Sequence, residues 1–474
     1  MTVISLPDTD VTMTVAGRAV ATAETLAVDD PATGGIIAHA PVCDAALLDE
    51  AMAAAVTAQP AWARDDAAIR AALLAAGKAV ASMSARLGAL VTAEQGKPIA
   101  MAIGEAYSAA AVLRAHAGME LPMEQLGDGR RARVELTRRP HGVVAAVTPW
   151  NFPVAIAAAK IAPALRAGNA VVVKPSPHTP LATLLLGAIL REVLPPGVLT
   201  VLNGPDELGA ALVAHEATSH VSFTGSVSAG RHVAAAAGAG LRSATLELGG
   251  NDPAIVLDDV DPAAIADTMF WEAFANNGQA CMAVKRLYVP ADRYAAMVAA
   301  LAARAESVRV GDGRVKGTEL GPVTTPEQLD RVADLVSSAV AAGARVAAGG
   351  RRLDGAGRFH APTVLADVRA GMVVVDEEQF GPVLPVLPYT DLDEAIAAAN
   401  STSYGLGASV WGADIDRAHE IAGRLEAGTV WVNGHAELGP DQPYAGLKHS
   451  GLGVEGGTEG LHGYTAPRVV RRPR

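Results

Sequence analysis

Alanine, leucine and methionine recur at helical spacing between residues 44 and 118, through "DAALLDEAMAAAV" and "AIRAALLAAGKAVASM", which reads as a run of helices. From residue 142 onward the pattern changes. Short β-rich runs, "GVVAAVTP", "AVVVKPS", "GVLTVLNG", "HVSFTGS" and "SATLELGG", alternate with helical stretches such as "VAIAAAKIAPALRAG" and "LATLLLGAILREVLP". Such alternation builds a parallel sheet, here of about five strands joined by crossover helices.

A second α/β region follows. Its strand candidates are "PAIVL", "VKRLYV", "VLPVLPY" and "GTVWVNG", and helical segments lie near 291–307, 326–343 and 413–424. The segment "RRARVELTRRP" at 130–140 and the C-terminal "YTAPRVVRRPR" alternate charged and apolar residues, as exposed strands awaiting a partner do.

Length supports this division, because a chain of 474 residues exceeds the roughly 250 to 300 residues beyond which single cores split. A cleft between lobes is therefore expected. Charge removes one class of partner: the formal net charge of -12 repels a phosphate backbone, and basic residues cluster only in short stretches such as Arg130, Arg131 and Arg133. No run approaches 18 apolar residues, and "MTVISLPDTD" lacks the basic start and apolar core of a signal peptide. The sequence reads as cytoplasmic, with neither nucleic acid nor membrane as a partner.

Two cysteines, Cys43 and Cys281, cannot make a disulfide framework, and no paired Cys/His spacing suggests zinc, so no metal is expected. Cys281 lies in "FANNGQACMAVKRLYV", after a glycine that suggests a tight loop and before a β-rich run. On spacing alone it is equally a buried structural cysteine or a nucleophile, because free cysteine is among the most buried residue types.

The surrounding string changes that balance. "NNGQACMAVKR" resembles the nucleophile segment of the aldehyde dehydrogenase superfamily. "TPWNFP" from 148, "VVKPSP" from 172, "FTGSVSAG" from 223, "LELGGNDPAIVL" from 246, "EEQFGPV" from 377, "GTVWVNG" from 428 and "PYAGLKHSGLGVEGG" from 443 match the family's motifs in order. The resemblance spans most of the chain. It implies an α/β fold with a Rossmann-like cofactor-binding domain (1–120 and 141–246), an α/β catalytic domain (247–440) and a small β oligomerisation arm (121–140 and 441–474).

The resemblance also implies roles. Cys281 would add to an aldehyde carbonyl, giving a thiohemiacetal whose hydride leaves to a nicotinamide ring and whose product is a thioester. The side-chain amide of Asn151 and the backbone N–H of Cys281 would stabilise the oxyanion, a donor whose loss typically costs about 10² to 10³ in rate. Glu247 would activate the water that hydrolyses the thioester. Trp150, Lys174, Ser176, Gly225, Ser226, Gly230, Leu248, Glu378 and Phe380 would hold the cofactor, and Phe152, Ile156, Ala159, Met282, Leu438 and Tyr444 would surround the aldehyde. Viewed singly, these residues have plainer readings. Asn151 suits a turn, Glu247 a solvated strand end, Lys174 a snorkelling charge, Ser226 an N-cap and Glu378 a surface acid. His435 and Glu437 either add polarity at the cavity mouth or belong to an exposed loop.

Two departures bear on specificity. Many members that prefer NAD carry a glutamate three residues after the lysine, where this chain has Pro177; the expected cofactor is NAD, with NADP as the alternative, since Lys174, Ser176 and His178 lie where a phosphate would. Members acting on succinic semialdehyde commonly carry an arginine at the position of Ala159, and its absence here suggests a roomy apolar tunnel for a medium-sized or aromatic aldehyde. A CoA-acylating semialdehyde dehydrogenase is the rival enzyme, opposed by Glu247. A dinucleotide-binding protein without turnover is the rival outside catalysis, opposed by Cys281, Asn151 and Glu247 together. A homodimer or homotetramer is expected, with edge strands pairing across subunits.

Overall fold

The computed structural model describes residues 11–129 and 132–473. The first ten residues, read above as lacking a signal peptide, and Arg130 and Arg131 of the basic stretch lie outside the described residues.

The five strands expected after residue 142 form the centre of an eight-stranded sheet, in the order Leu199–Val201, Ala170–Lys174, Val143–Val147, Thr218–Thr224 and Ser243–Glu247. All four pairings are parallel. Val144, Ala145, Val171, Val172 and Val173 are fully buried, as strands covered by helices on both faces must be. The strand order reverses between Val143–Val147 and Thr218–Thr224. In a doubly wound sheet such a reversal opens a crevice at the carboxyl ends of the strands.

The second sheet has seven strands, ordered Arg345–Ala348, Thr363–Ala366, Val383–Tyr389, Val284–Pro290, Asp252–Val256, Gly407–Trp411 and Thr429–Val432. Only the Arg345–Ala348 edge strand runs antiparallel. The helices Ala291–Ser307, Pro326–Ala341 and Ile415–Ala422 fall where the apolar periodicity puts them. Residues 44–118 fold as four helices, two of which, Asp66–Ser82 and Ile99–Gly118, pack on the first lobe through Leu73, Ala76, Val80, Ala106, Ala110 and Leu113. Among the described residues no single helix is long and apolar enough to cross a membrane.

Strand Ala132–Pro140 pairs along its length with Thr465–Pro473 and, on its other side, with Glu124–Gly129, giving a separate three-stranded antiparallel arm. The rest of the 441–474 stretch is shared with the body of the molecule. Gly451–Leu452 pairs with Ser243–Glu247 at the end of the first sheet, and Leu447–Lys448 pairs with Tyr404–Gly405.

Candidate active site

The loops that carry chemistry converge where the carboxyl ends of the first sheet meet the amino ends of the second. Asn151 follows Val143–Val147, and Glu247 ends Ser243–Glu247. Cys281 precedes Val284–Pro290, and Glu378 precedes Val383–Tyr389. The switch point of the first sheet is thus opposed by the loops that enter the second.

Cys281 sits after a 3-10 turn, Ala275–Gly278, in which Asn276, Asn277 and Gly278 all have positive φ, at 53°, 59° and 65°. Two left-handed non-glycine residues in succession, Asn276 and Asn277, are sterically costly and persist only when the surroundings hold them. The surroundings here do so: Asn276 Nδ2 donates to the Asn151 carbonyl at 3.2 Å, and Asn277 Nδ2 donates to the Gly321 carbonyl at 2.5 Å. A Cβ on Gly278 would run into the Gly381 carbonyl, so the nucleophile loop lies tight against the loop that carries Glu378 and Phe380. Lys285 Nζ donates to the carbonyls of Ala280 and Cys281 at 2.5 and 3.1 Å. Burial pushes the Cys281 thiol up to about 12, with the Lys285 ammonium acting against it. Burial does the same to Cys43, also to about 12, but that thiol lies in the core of the first lobe.

Cys281, Asn151 and Glu247 line one cavity of about 480 Å³. Phe152, Ile156, Ala159, Met282, Leu438 and Tyr444 line the same cavity. Asn151 Nδ2 donates to the Gln279 carbonyl at 2.9 Å, two residues before the thiol, and its Oδ1 has no partner. Tyr444 is buried beside Cys281, and its hydroxyl has no well-aligned hydrogen bond. Glu247 is 3% exposed, and neither carboxylate oxygen has a partner. Burial raises its pKa well above the ordinary range; Glu455 adds to the rise and Lys160 opposes it.

Sequence reasoning missed Lys160 and Glu455. Lys160 Nζ bridges Glu455 Oε1 at 2.5 Å and Ser222 Oγ at 3.2 Å, and Ser222 Oγ is 2.9 Å from the Tyr464 hydroxyl. A fixed charge pair therefore lies behind Glu247. Helical spacing could have placed Lys160 there, because it falls four residues after Ile156 on the helix Pro153–Arg166. No pattern in the sequence links it to Glu455, 295 residues away.

A second cleft, of about 510 Å³, opens at the switch point and is lined by Trp150, Lys174, Ser176, His178, Gly225 and Ser226. Ser226 caps the helix Val227–Ala239 by accepting from the Ala229 N–H at 3.2 Å. The plain N-cap reading of Ser226 is thus realised beside the cleft. Gly230 lies in the first turn of that helix, where a Cβ would meet the Leu248 side chain; the glycine lets helix and strand end approach closely. Lys174 Nζ is 3.7 Å from Asp206, and burial lowers its pKa while Asp206 opposes. Across the cleft, Phe380 meets Trp150 edge to face with ring centroids 5.3 Å apart. Glu378 accepts from the Gly250 N–H at 3.1 Å and lies 3.7 Å from Lys285 Nζ. Burial pushes its carboxyl up to about 6.

His435 lies on a loop but is not an exposed residue. It is 1% exposed, with Nδ1 at 3.0 Å from Ser409 Oγ and Nε2 at 3.5 Å from Asp252 Oδ2. Ser409, Asp252 and the Trp431 ring, its centroid 4.9 Å away, enclose a residue that glycine, aspartate and proline neighbours made look exposed.

A doubly wound sheet whose switch-point cleft runs on to a cavity holding a cysteine, an amide and a carboxylate is the architecture of the aldehyde dehydrogenase family, whose pattern matches residues 19–470, and the chain belongs to that family. It is an aldehyde-oxidising enzyme. Among individual relatives, it is 41% identical over 460 residues, 93% of this chain and 91% of the other, to the 3,6-anhydro-alpha-L-galactose dehydrogenase of Streptomyces coelicolor. The NAD+ complex of an aldehyde dehydrogenase from Bacillus cereus matches with a TM-score of 0.97 at 32% identity, covering 100% of both chains. Betaine aldehyde dehydrogenase from Staphylococcus aureus, also in complex with NAD+, matches at 0.94 and 30% identity, covering 98% of this chain and 95% of that one.

Proposed function

We propose that this chain oxidises an aldehyde to the free carboxylic acid with NAD+ as hydride acceptor, through a thioester on Cys281. The observation that carries this reading is the joint placement of Cys281, Asn151 and Glu247 on one cavity. The cofactor cleft fits a dinucleotide. A Cβ on Gly225 would run into the Phe223 ring, so glycine lets the chain turn closely into the helix Val227–Ala239, whose N-terminus favours a pyrophosphate. Trp150, Lys174, Ser176, Gly225 and Ser226 would line it, Gly230 and Leu248 would shape its floor, and Glu378 and Phe380 would close the nicotinamide end. When bound, the nicotinamide supplies the hydride acceptor. No carboxylate lies three residues after Lys174 to repel a 2′-phosphate, so NADP+ is the alternative to test.

The chain's own residues account for the remaining steps. Cys281 passes its proton to water in the cavity and its thiolate attacks the carbonyl carbon, while the Asn151 amide, one N–H held by the Gln279 carbonyl, offers its other N–H to the developing oxyanion. Loss of the hydride leaves the thioester. Glu247, ionised, then takes a proton from water, the hydroxide attacks the thioester carbon, and the carbon–sulfur bond breaks, releasing the acid and returning Cys281 as the thiolate. This last step separates the reading from acyl transfer to coenzyme A. Its location is proposed to be the cytoplasm, and its assembly a dimer or tetramer through the three-stranded arm.

The small Ala159 and the apolar Phe152, Ile156, Met282 and Leu438 favour a medium-sized or aromatic aldehyde. A specific observation favours a second reading, an aldehyde bearing hydroxyls. His116 lies on the same cavity and donates from Nδ1 to the Val112 carbonyl at 2.9 Å, which leaves Nε2 a bare acceptor with no partner. Ser108, Glu272 and Gln442 line that cavity too, and the Streptomyces relative is named for a sugar-derived aldehyde.

The test is reduced-cofactor formation with NAD+ or NADP+ against aromatic, aliphatic and anhydrosugar aldehydes. Cys281→Ala should abolish it. Glu247→Gln should give one burst per active site and then slow turnover, because acylation precedes the water step. Full activity in Cys281→Ala, or equal loss of burst and turnover in Glu247→Gln, would overturn the mechanism. The preferred aldehyde in the panel decides between the two substrate readings.

A further inference from the structure

Behind the turn that presents Asn151 lies a buried ion pair that the catalytic steps above do not use. Lys97 and Glu105 are 1% and 5% exposed, and Lys97 Nζ meets Glu105 Oε2 at 2.6 Å. The same ammonium donates to the Asn151 backbone carbonyl at 2.7 Å and stands 3.7 Å from the centroid of the Phe152 ring. The other oxygen of Glu105, Oε1, accepts from the Val154 and Ala155 N–H groups at 2.8 and 3.2 Å, capping the start of the helix Pro153–Arg166. The Asn151 carbonyl has a second donor in Asn276 Nδ2, and Gln95 Nε2 in turn bonds Asn276 Oδ1 at 3.1 Å. Two donors on one carbonyl fix the plane of the Asn151–Phe152 peptide, and that plane sets the direction in which the Asn151 side chain leaves the chain.

We infer that Lys97, held by Glu105, is a positioning residue for the Asn151 amide: it fixes the carbonyl of the oxyanion-binding residue rather than touching the substrate. The inference rests on the proposed role of Asn151 in the oxyanion site. A charge pair withdrawn from water is weak evidence for stability, since a well-packed apolar pair of the same volume often serves as well. What an apolar pair cannot supply is a directed donor on that carbonyl. Donors must be oriented before charge develops, and a displacement of about 1 Å can cost about 10² in rate. The cation over the Phe152 face ties the neighbouring wall of the aldehyde cavity to the same anchor.

The experiment is a double-mutant cycle read by the burst rate of reduced-cofactor formation and by kcat and KM. Lys97→Met should lower the burst rate and kcat by about 10- to 100-fold, with KM for the aldehyde changed by less than about threefold. Lys97→Met combined with Glu105→Gln, which leaves no stranded carboxylate, should show the same loss, and thermal unfolding checks that both variants fold. In the Asn151→Ala background, Lys97→Met should cost less than about twofold more, because the group it positions is gone. If Lys97→Met costs as much in that background as in the native chain, the pair is structural and the inference fails. If Asn151→Ala alone leaves the burst rate intact, it is the oxyanion role of Asn151 that fails instead.

Discussion

Glu247 keeps a carboxyl group in a place that gives it no donor, so its neutral form is favoured in the cavity and its ionised form is the reagent. The sign of the pH dependence follows. Its pKa is raised above the ordinary carboxylate value of 4.5, so turnover limited by thioester hydrolysis should rise with pH through that raised value. Stability responds in the opposite sense. The folded chain holds a proton that the unfolded chain releases, so this contribution is full below 4.5 and is lost as the pH climbs through the folded-state value. Glu247→Gln, neutral at every pH, should therefore unfold at a higher temperature than the native chain at pH 8 while losing the rising limb of turnover. An unchanged limb, or no gain in unfolding temperature at pH 8, would show that Glu247 is not the group that titrates.

At the scale of the element, the three-stranded arm is the least self-sufficient part of the chain. Its outer strands, Thr465–Pro473 and Glu124–Gly129, each have one edge without a strand beside it among the described residues, and Val469 and Leu126 are 58% and 56% exposed. Open strand edges flanked by apolar side chains invite pairing with a second chain. Light scattering of the native protein should give a mass at least twice that of one chain, and Val469→Asp together with Leu126→Asp should lower it to roughly that of one chain or one dimer. A native protein already monomeric would dismiss the arm as an assembly element. The arm's existence was readable from the alternation in "RRARVELTRRP" and "YTAPRVVRRPR". That the preceding residues 441–463 belong elsewhere was not, since a two-residue strand such as Gly451–Leu452 has too short a period to show.

Across the whole molecule, the long apolar runs were the legible part. The five parallel strands of the first sheet and three helices of the second lobe lie where their periodicity puts them. The second sheet also contains Arg345–Ala348, Thr363–Ala366 and Gly407–Trp411, and the first gains Met13–Val15 and Arg18–Val20. Length alone does not explain this, since Leu199–Val201 and Thr429–Val432 are as short and were legible; most of the missed strands hold alanine, glycine or arginine, which favour strands less than the leucine, valine and tryptophan of those two. The candidate site divides the same way. Cys281, Asn151 and Glu247 sit in contiguous strings that resemble a family. Lys97, Glu105, Lys160 and Glu455 matter through contacts between distant segments, and His435 looked exposed because its neighbours in sequence are loop formers while its neighbours in space are not.

The fold places Asn151 on a loop and Glu247 on a strand end of one sheet and Cys281 on a loop of the other, so the reacting group and its helpers share no common element. The site is a joint between two bodies, and it exists only while they are seated together. A small slip at that joint would separate the thiol from the amide without melting a single strand. Rising urea should therefore silence aldehyde oxidation at a lower concentration than it changes tryptophan fluorescence, and saturating NAD+, gripping residues on both sides, should draw the two midpoints together. Coincident midpoints at sub-saturating NAD+ would mean that the lobes part only when they unfold.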